Sequence, residues 1–272
     1  TFLVILGNSI IVIFNLGGIS YIALATLVSR FLAMLLTFFT LKSKIPELFD
    51  FKEDFRKIPL KKEILSLGIP SAMEQISYNF SQTIITAIIA SLGTVAVSSK
   101  IYTQTITSFI FSIGVAAGLS GNLIIGSLYR KKDFEGIGDF ALMNTNKMSL
   151  IAAGVNLILA LLGGYIVRIF TKDPQIIVIV RLLLFLQIFL DPMRVANEIL
   201  VGGLNVLKDV KYPVLVGIIT TYALVIPLSY IGVNKLGLGL KSVWLVFIID
   251  EGLRRLLFTR RFKSRKWIEL NE

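Results

Sequence analysis

The chain has 272 residues, of which 55% are hydrophobic and only 17% charged, with a mean hydropathy of +0.79. A soluble domain usually has about 25% charged residues, so this composition indicates a protein that lies in lipid. Cys and His are absent, which excludes disulfides, thiolate or imidazole zinc sites, histidine-held haem and a His-dependent catalytic triad. The net charge of +11 is explained in a membrane protein by Lys and Arg residues in its cytoplasmic loops, so we expect no nucleic-acid partner.

Eight segments are apolar over the roughly 20 residues that a membrane-spanning helix needs, although the first is short. None alternates like a barrel strand, so the predicted fold class is all-α, a polytopic membrane helix bundle. The first segment starts at Thr1 without the features of a signal peptide, and we expect the sequence to be a piece of a longer protein. The predicted spans are 1–16, 19–42, 62–90, 94–129, 142–167, 175–207, 212–233 and 239–259.

The connections between the spans differ in charge. Seventeen Lys and Arg residues lie in one alternating set of connections and four in the other. By the positive-inside rule the connections rich in Lys and Arg are cytoplasmic. This predicts a multi-pass cell-membrane protein with a cytoplasmic C-terminus, whose basic connections contact anionic membrane lipids. In this set, residues 131–146 mix charged and apolar side chains, and we predict a short helix on the membrane surface before the next span.

Several short motifs occur along the chain in a fixed order. They are Ala23-Leu24-Ala25-Thr26, Leu67-Gly68-Ile69-Pro70-Ser71-Ala72, Ser91-Leu92-Gly93-Thr94, Gly202-Gly203-Leu204-Asn205, Lys208-Asp209-Val210-Lys211-Tyr212-Pro213, Pro227-Leu228-Ser229-Tyr230 and Arg261-Phe262-Lys263-Ser264-Arg265-Lys266-Trp267. In their order and spacing these motifs resemble those of the MATE family, the multidrug and toxic compound extrusion transporters, and the resemblance covers nearly the whole chain.

The resemblance implies two six-helix lobes around a central cavity. Residues 1–42 would be the last two helices of a truncated N-lobe, 43–60 a cytoplasmic linker and 61–272 the six-helix C-lobe. The first four helices would be the missing partner of this chain. The activity that it implies is export of organic, often cationic, compounds or drugs in exchange for Na⁺ or H⁺, with no other cofactor.

Polar residues deep in a span need a partner or a function, because an ionisable group there costs roughly 2.5–3.5 kcal/mol. Glu74 lies in the span 62–90 with Gln75, Tyr78 and Asn79 nearby. The spacing of Ser71, Gln75, Tyr78 and Gln82 makes one polar stripe, which is expected to face a cavity or another helix. A hydrogen bond between helices is the structural alternative to a cation or proton site. The resembled family often has an acid in this helix, at or near the position of Glu74.

A second polar group lies in the span 175–207. Asp191, Arg194 and Glu198 are spaced by three and four residues and therefore share one helix face, with Asn197 and a helix-kinking Pro192 beside them. They predict either a salt-bridge ladder that packs helices or a coupling site. Well-known MATE branches have an acid near the position of Arg194, so their cation site does not transfer directly.

The remaining buried polar groups have less specific patterns. Asn8 matches a position at which some MATE members have Asp, and it either ligates a cation or bonds to another helix. We expect Lys100 to extend to the outer face. We also expect i, i+4 pairs between Asp250 and Arg254 and between Glu251 and Arg255 near the inner interface.

Three functions fit these patterns. The first is a secondary antiporter in which two lobes rock about the linker 43–60, with Glu74 and the Asp191/Glu198 face as the acidic site. The second is a lipid-linked oligosaccharide flippase of the related superfamily, which Arg194 and Lys100 would favour. The third is an inactive fragment. An enzyme is not expected, because the sequence has no phosphate loop, nucleophile–base pair or metal cluster.

Overall fold

The computed structural model describes residues 4, 7, 9–11, 19–46 and 60–268, except for the side chains of residues 19, 60–67, 70, 71 and 74. The chain divides into two compact units, Thr1–Lys61 and Lys62–Glu272. The described residues form helices and no strands, which confirms the predicted all-helical bundle. Asn8 and most of the first predicted span lie outside the described residues, and the predicted lobes and linker stay predictions.

Seven helices are described below. They are α1 (Ile19–Lys44), α2 (Leu60–Ala90), α3 (Thr94–Arg130), α4 (Phe134–Phe170), α5 (Pro174–Val206), α6 (Lys211–Lys235) and α7 (Leu240–Lys263). Among the described residues, five helices are long and apolar enough to cross a membrane: α1, α3, α4, α5 and α6. Helices α2 and α7 have 31 and 24 residues, but they are more polar, and their membrane crossing stays a prediction.

The helix ends follow local chemistry. Asp133 and Asp173 accept hydrogen bonds from the first free amides of α4 and α5, at 2.9 Å from Gly136 N and 2.8 Å from Gln175 N. Gly93 precedes α3 with a φ of 94°, a backbone conformation that only glycine adopts without strain. These caps explain why the predicted starts of α3 and α5 lie within one residue of the observed ones.

The prediction of a short, separate surface helix at 131–146 is wrong. Helix α4 begins at Phe134 and continues without interruption to Phe170, and its first turns are buried at Ile137 and Ala141. These residues pack with Leu204 and Phe262 in an apolar cluster at one end of the second unit. The mixed composition therefore marks the part of a long helix that packs against other helices.

Helix α5 is central in the second unit, where it packs against α3, α4 and α7. Close approach depends on small residues at the crossings. A Cβ at Gly114 of α3 would lie 2.8 Å from Val195, and a Cβ at Gly203 of α5 would lie 2.8 Å from the Phe262 ring. Gly114 thus lets the Val195 side chain lie against the α3 backbone, and Gly203 lets the Phe262 ring lie against the α5 backbone, as is common among membrane helices.

Helix α6 is not a uniform α-helix. Its α-helical turns at Lys211–Thr220 and Ile226–Tyr230 alternate with π-helical stretches at Thr221–Val225 and Ile231–Lys235. Pro227 follows the first of these stretches and has no amide hydrogen to donate. Single π turns are often found at functional sites, and here the first one borders a cavity.

Candidate functional site: a charged cavity in the second unit

A cavity of about 600 Å³ lies within the second unit and is lined by α2, α3, α5, α6 and α7. Its lining residues are Gln75, Ser77, Tyr78, Ser81, Gln82, Ile85, Gln104, Thr107, Ser108, Phe111, Val115, Asp191, Arg194, Asn197, Glu198, Val201, Pro213, Gly217, Ile218, Thr221, Val225, Phe247, Asp250, Glu251, Arg254 and Phe258.

Two apolar clusters lie at opposite ends of the cavity. Leu190 and Phe247 belong to the first, which also contains the buried Trp244. Leu200 and Phe258 belong to the second, which also contains Phe262 and Trp267. Along α5 and α7 the charged lining residues fall between these clusters in the sequence.

The structure brings together most of the site residues that the sequence predicts. Six of them line the cavity: Gln75, Tyr78, Asp191, Arg194, Asn197 and Glu198. Asn79 is exposed on α2 and is not a lining residue. The side chain of Glu74, like all of Asn8, lies outside the described residues.

Asp191 lies near the middle of α5 and is only 4% exposed. Its Oδ2 atom has no hydrogen-bond partner, although the residue lines the cavity. The next residue, Pro192, interrupts the amide pattern of the helix, and its carbonyl oxygen accepts a hydrogen bond from Ser149 Oγ of α4 at 2.9 Å. This contact fixes α5 against α4 beside an acid that retains an unused acceptor.

Arg194 forms its ion pair with another helix. Its Nε atom lies 3.4 Å from Glu251 Oε1 of α7, and its Cζ atom lies 5.5 Å from the centroid of the Phe247 ring. Asn197 Nδ2 donates to the other carboxylate oxygen of Glu251 at 2.8 Å and to its backbone oxygen at 2.9 Å. Two α5 side chains therefore hold one α7 carboxylate at the cavity wall.

The predicted pair of Asp250 and Arg254 is confirmed, with 3.0 Å between Oδ1 and Nε. Both residues line the cavity, and their position near the inner interface stays a prediction. Arg254 also donates to three acceptors of α6, namely Thr220 Oγ1 at 2.8 Å, Thr221 Oγ1 at 2.7 Å and the Gly217 carbonyl oxygen at 3.2 Å. It thereby ties α7 to the start of the first π-helical stretch.

Two other expectations are wrong. Glu251 pairs with Arg194, while Arg255 donates to Asn146 Oδ1 at 3.2 Å, because the helices around α7 offer each residue a different partner. Lys100 is 6% exposed and donates from Nζ to Thr86 Oγ1 of α2 at 2.6 Å. A hydroxyl on the adjacent helix satisfies this lysine, so it does not extend to the outer face.

Most of the lining residues that sequence reasoning missed lie on α3, α6 and α7. Gln104, Thr107, Ser108 and Phe111 all face the cavity from α3, and their spacing of three and four residues would have indicated one polar face. On α7 the charged lining residues have the same spacing as ordinary intrahelical pairs. The described lining residues include four acids and two arginines, an arrangement that favours a bound cation.

Comparison with known proteins identifies the family to which this chain belongs. The family description MatE matches residues 70–231, which is more than half of the chain. The chain belongs to the MatE family. It is 33% identical over 271 residues to the uncharacterized transporter YisQ of Bacillus subtilis, a match that covers 97% of this chain and 59% of YisQ. It is 26% identical over 259 residues to a probable multidrug resistance protein NorM of Thermotoga maritima, covering 92% and 54%.

This MatE chain thus spans less than two thirds of the length of these curated relatives. Solved structures share its fold. An outward-facing multidrug resistance MATE family transporter of the MOP superfamily matches with a TM-score of 0.77 at 20% identity, covering 97% of this chain and 60% of that one. A MOP superfamily transporter from Pyrococcus furiosus, described by a reverse polarity of its binding pocket that suggests a different function, also scores 0.77 at 20% identity, covering 99% and 62%. The MatE chain is therefore a multi-pass membrane protein of a transporter family.

Proposed function

We propose that the MatE chain forms part of a secondary active antiporter that exports organic, often cationic, compounds in exchange for Na⁺ or H⁺ by alternating access. The observation that carries the proposal is the charge of the cavity, where four acids and two arginines line the described wall. An excess of carboxylates in a site of low dielectric attracts cations and repels anions. The relative named as a probable multidrug resistance protein supports the same substrate class.

Transport of this kind uses the second unit together with a second lobe, and the relatives are long enough to contain one. The partners that we propose are therefore drug-like organic cations, the membrane lipids around the helices and the helices that precede residue 1 in the whole protein. Asp191 and Glu198 line the cavity from one helix, and we assign the coupling ion to them and to Glu74.

The proposal is tested with the protein from its complete gene in proteoliposomes. We expect wild type to export ethidium when an inward Na⁺ or proton gradient is imposed. Glu74→Gln and Asp191→Asn remove a titratable carboxylate at almost constant volume, so each is expected to abolish coupled export while the protein stays folded. Glu135→Gln, at an exposed acid in the first turn of α4, is the matched control and should export normally.

If both variants export ethidium as wild type does, the assignment of the acidic site is contradicted.

The alternative flippase would hold a lipid pyrophosphate, which carries several negative charges. The four lining acids disfavour that ligand, so we expect wild type to bind ethidium and not a labelled lipid pyrophosphate. The opposite binding preference would favour the flippase.

A further inference from the structure

Phe247 and Glu251 both lie on α7 and line the cavity, and each contacts the same cation, Arg194. A carboxylate next to the face of an aromatic ring binds cations by charge attraction and by the cation–π interaction. In this structure the cation at the site is the guanidinium of Arg194, whose Cζ lies 5.5 Å from the Phe247 centroid and whose Nε lies 3.4 Å from Glu251 Oε1. The protein's own side chain therefore occupies the position that a ligand cation would take.

Arg194 is held more loosely than the other paired arginines of the second unit that the structure describes. Arg261 bonds to both oxygens of Asp209, at 2.6 Å and 3.2 Å. Arg254 has an acid at 3.0 Å and three further acceptors. Arg194 has one carboxylate contact at 3.4 Å and its side chain is 25% exposed, so it is the cation that a ligand can displace at the least cost.

The site remains formed when Arg194 leaves. Asn197 Nδ2 donates to Glu251 Oε2 at 2.8 Å and to the Glu251 backbone oxygen at 2.9 Å, so the orientation of the carboxylate does not depend on the arginine. The displaced guanidinium is also not left without acids. Asp191 and Glu198 lie one helical turn before and after Arg194 on α5, and both line the same cavity.

We propose that Phe247 and Glu251 bind the charged group of an exported organic cation, and that Arg194 is a tethered placeholder that the incoming cation displaces. This inference rests on the proposed export function and identifies the ligand-binding residues of the same cavity. Because the placeholder is a planar, delocalised cation lying near an aromatic ring, the preferred ligands are monovalent cations with planar, delocalised charge. Small compact cations gain less from the ring.

The placeholder lowers the apparent affinity for ligand, because only molecules in which Arg194 has moved away are competent to bind. Arg194→Ala therefore tightens binding of ethidium, with Kd falling about 3- to 10-fold. Arg194→Lys keeps a competing charge, so its Kd stays within about twofold of wild type. Glu251→Gln removes the anionic partner and Phe247→Leu the ring, and each weakens ethidium binding by about 10-fold.

The experiment is a fluorescence titration of ethidium against the full-length protein in nanodiscs, with folding of each variant checked by its thermal transition. Arg255→Ala is the matched control, since Arg255 lies on α7, bonds to Asn146 and does not line the cavity. Added guanidinium ion provides a second readout. Guanidinium should compete with ethidium for Arg194→Ala at concentrations that do not change ethidium binding to Arg255→Ala. A loss of packing in Arg194→Ala would not by itself produce this competition.

The two levels of the proposal fail differently. The placeholder role of Arg194 would be overturned if wild type binds ethidium and Arg194→Ala binds it with the same or a lower affinity. That result would leave the proposed export function intact. Normal ethidium affinity in Glu251→Gln would overturn the assignment of the binding residues. If neither wild type nor Arg194→Ala binds ethidium, the proposed export of organic cations fails as well.

Discussion

At the scale of single residues, the second unit depends on arginines that pair across helix boundaries. Asp209, in the connection between α5 and α6, is 3% exposed and binds the Arg261 guanidinium of α7 through both of its oxygens. The same guanidinium lies 4.8 Å from the Tyr212 ring centroid. A buried carboxylate of this kind is stable only with its partner, because its desolvation is otherwise uncompensated.

We therefore predict that Arg261→Ala lowers the free energy of unfolding by about 3 kcal/mol, the magnitude seen when one partner of a buried ion pair is removed. The measurement is the thermal transition of the purified protein in detergent. Arg260→Ala, at the exposed neighbouring residue, is the control and should change stability by less than about 0.5 kcal/mol. Equal losses in the two variants would show that Asp209 does not need its partner.

At the scale of helices, Gly203 is one of the two glycines that allow α5 to lie close to its neighbours. A Cβ at Gly203 would lie 2.8 Å from Phe262 Cζ and 3.0 Å from Ile125 Cδ1, both in the second apolar cluster. We predict that Gly203→Ala destabilises the protein by about 1–3 kcal/mol, since both neighbours are fully buried in that cluster.

Gly154→Ala tests the same change where there is space. A Cβ at Gly154 of α4 would have no atom within 4 Å apart from the local backbone of its own helix, and alanine favours the helix. Stability should therefore stay constant or rise by up to about 1 kcal/mol. Thermal transitions of both variants, measured side by side, check this contrast. A stable Gly203→Ala protein would mean that the helices separate at that crossing without cost.

The first π-helical stretch of α6 depends on α7 through Arg254. Its guanidinium bonds to Thr220, Thr221 and the Gly217 carbonyl oxygen, a set that the single ammonium of lysine does not span. We predict that Arg254→Lys increases amide hydrogen exchange in residues 217–225 about tenfold, as expected for local opening. Exchange measured by mass spectrometry should be unchanged there in Arg255→Lys.

Much of this helical arrangement is predictable from the sequence, and much of the site is not. The ends of α3 were predictable because Gly93 and the basic residues after Tyr129 interrupt a long apolar run. The pairing of Arg194 with Glu251 was not, because spacing along one helix shows only which residues share a face of that helix. Which face meets which depends on crossings such as the one at Gly203.

At the scale of the whole molecule, the distribution of Lys and Arg predicts the orientation in the membrane. The connections before α4 and after α7 are rich in basic residues, whereas those after α4 and α6 have few. Each exposed lysine in these connections is a site at which the sidedness of the chain becomes measurable.

We predict that cysteines placed at Lys131 and Lys266 are protected from an impermeant maleimide added outside intact cells, and that cysteines at Lys172 and Lys235 react. All four side chains are exposed, and the chain has no Cys of its own to add background. Permeabilised cells are the control, in which all four should react. Labelling of Lys266→Cys by maleimide added outside intact cells would contradict the predicted cytoplasmic C-terminus.

The π-helical stretches of α6 have a consequence for aligning this sequence with others. A π turn accommodates one residue more than an α turn, so two chains with the same fold can differ by a single inserted residue in the middle of this helix. An alignment that forbids gaps inside transmembrane helices would then shift the positions of α6 that follow Val225 by one, until a gap in the connection to α7 restores the register.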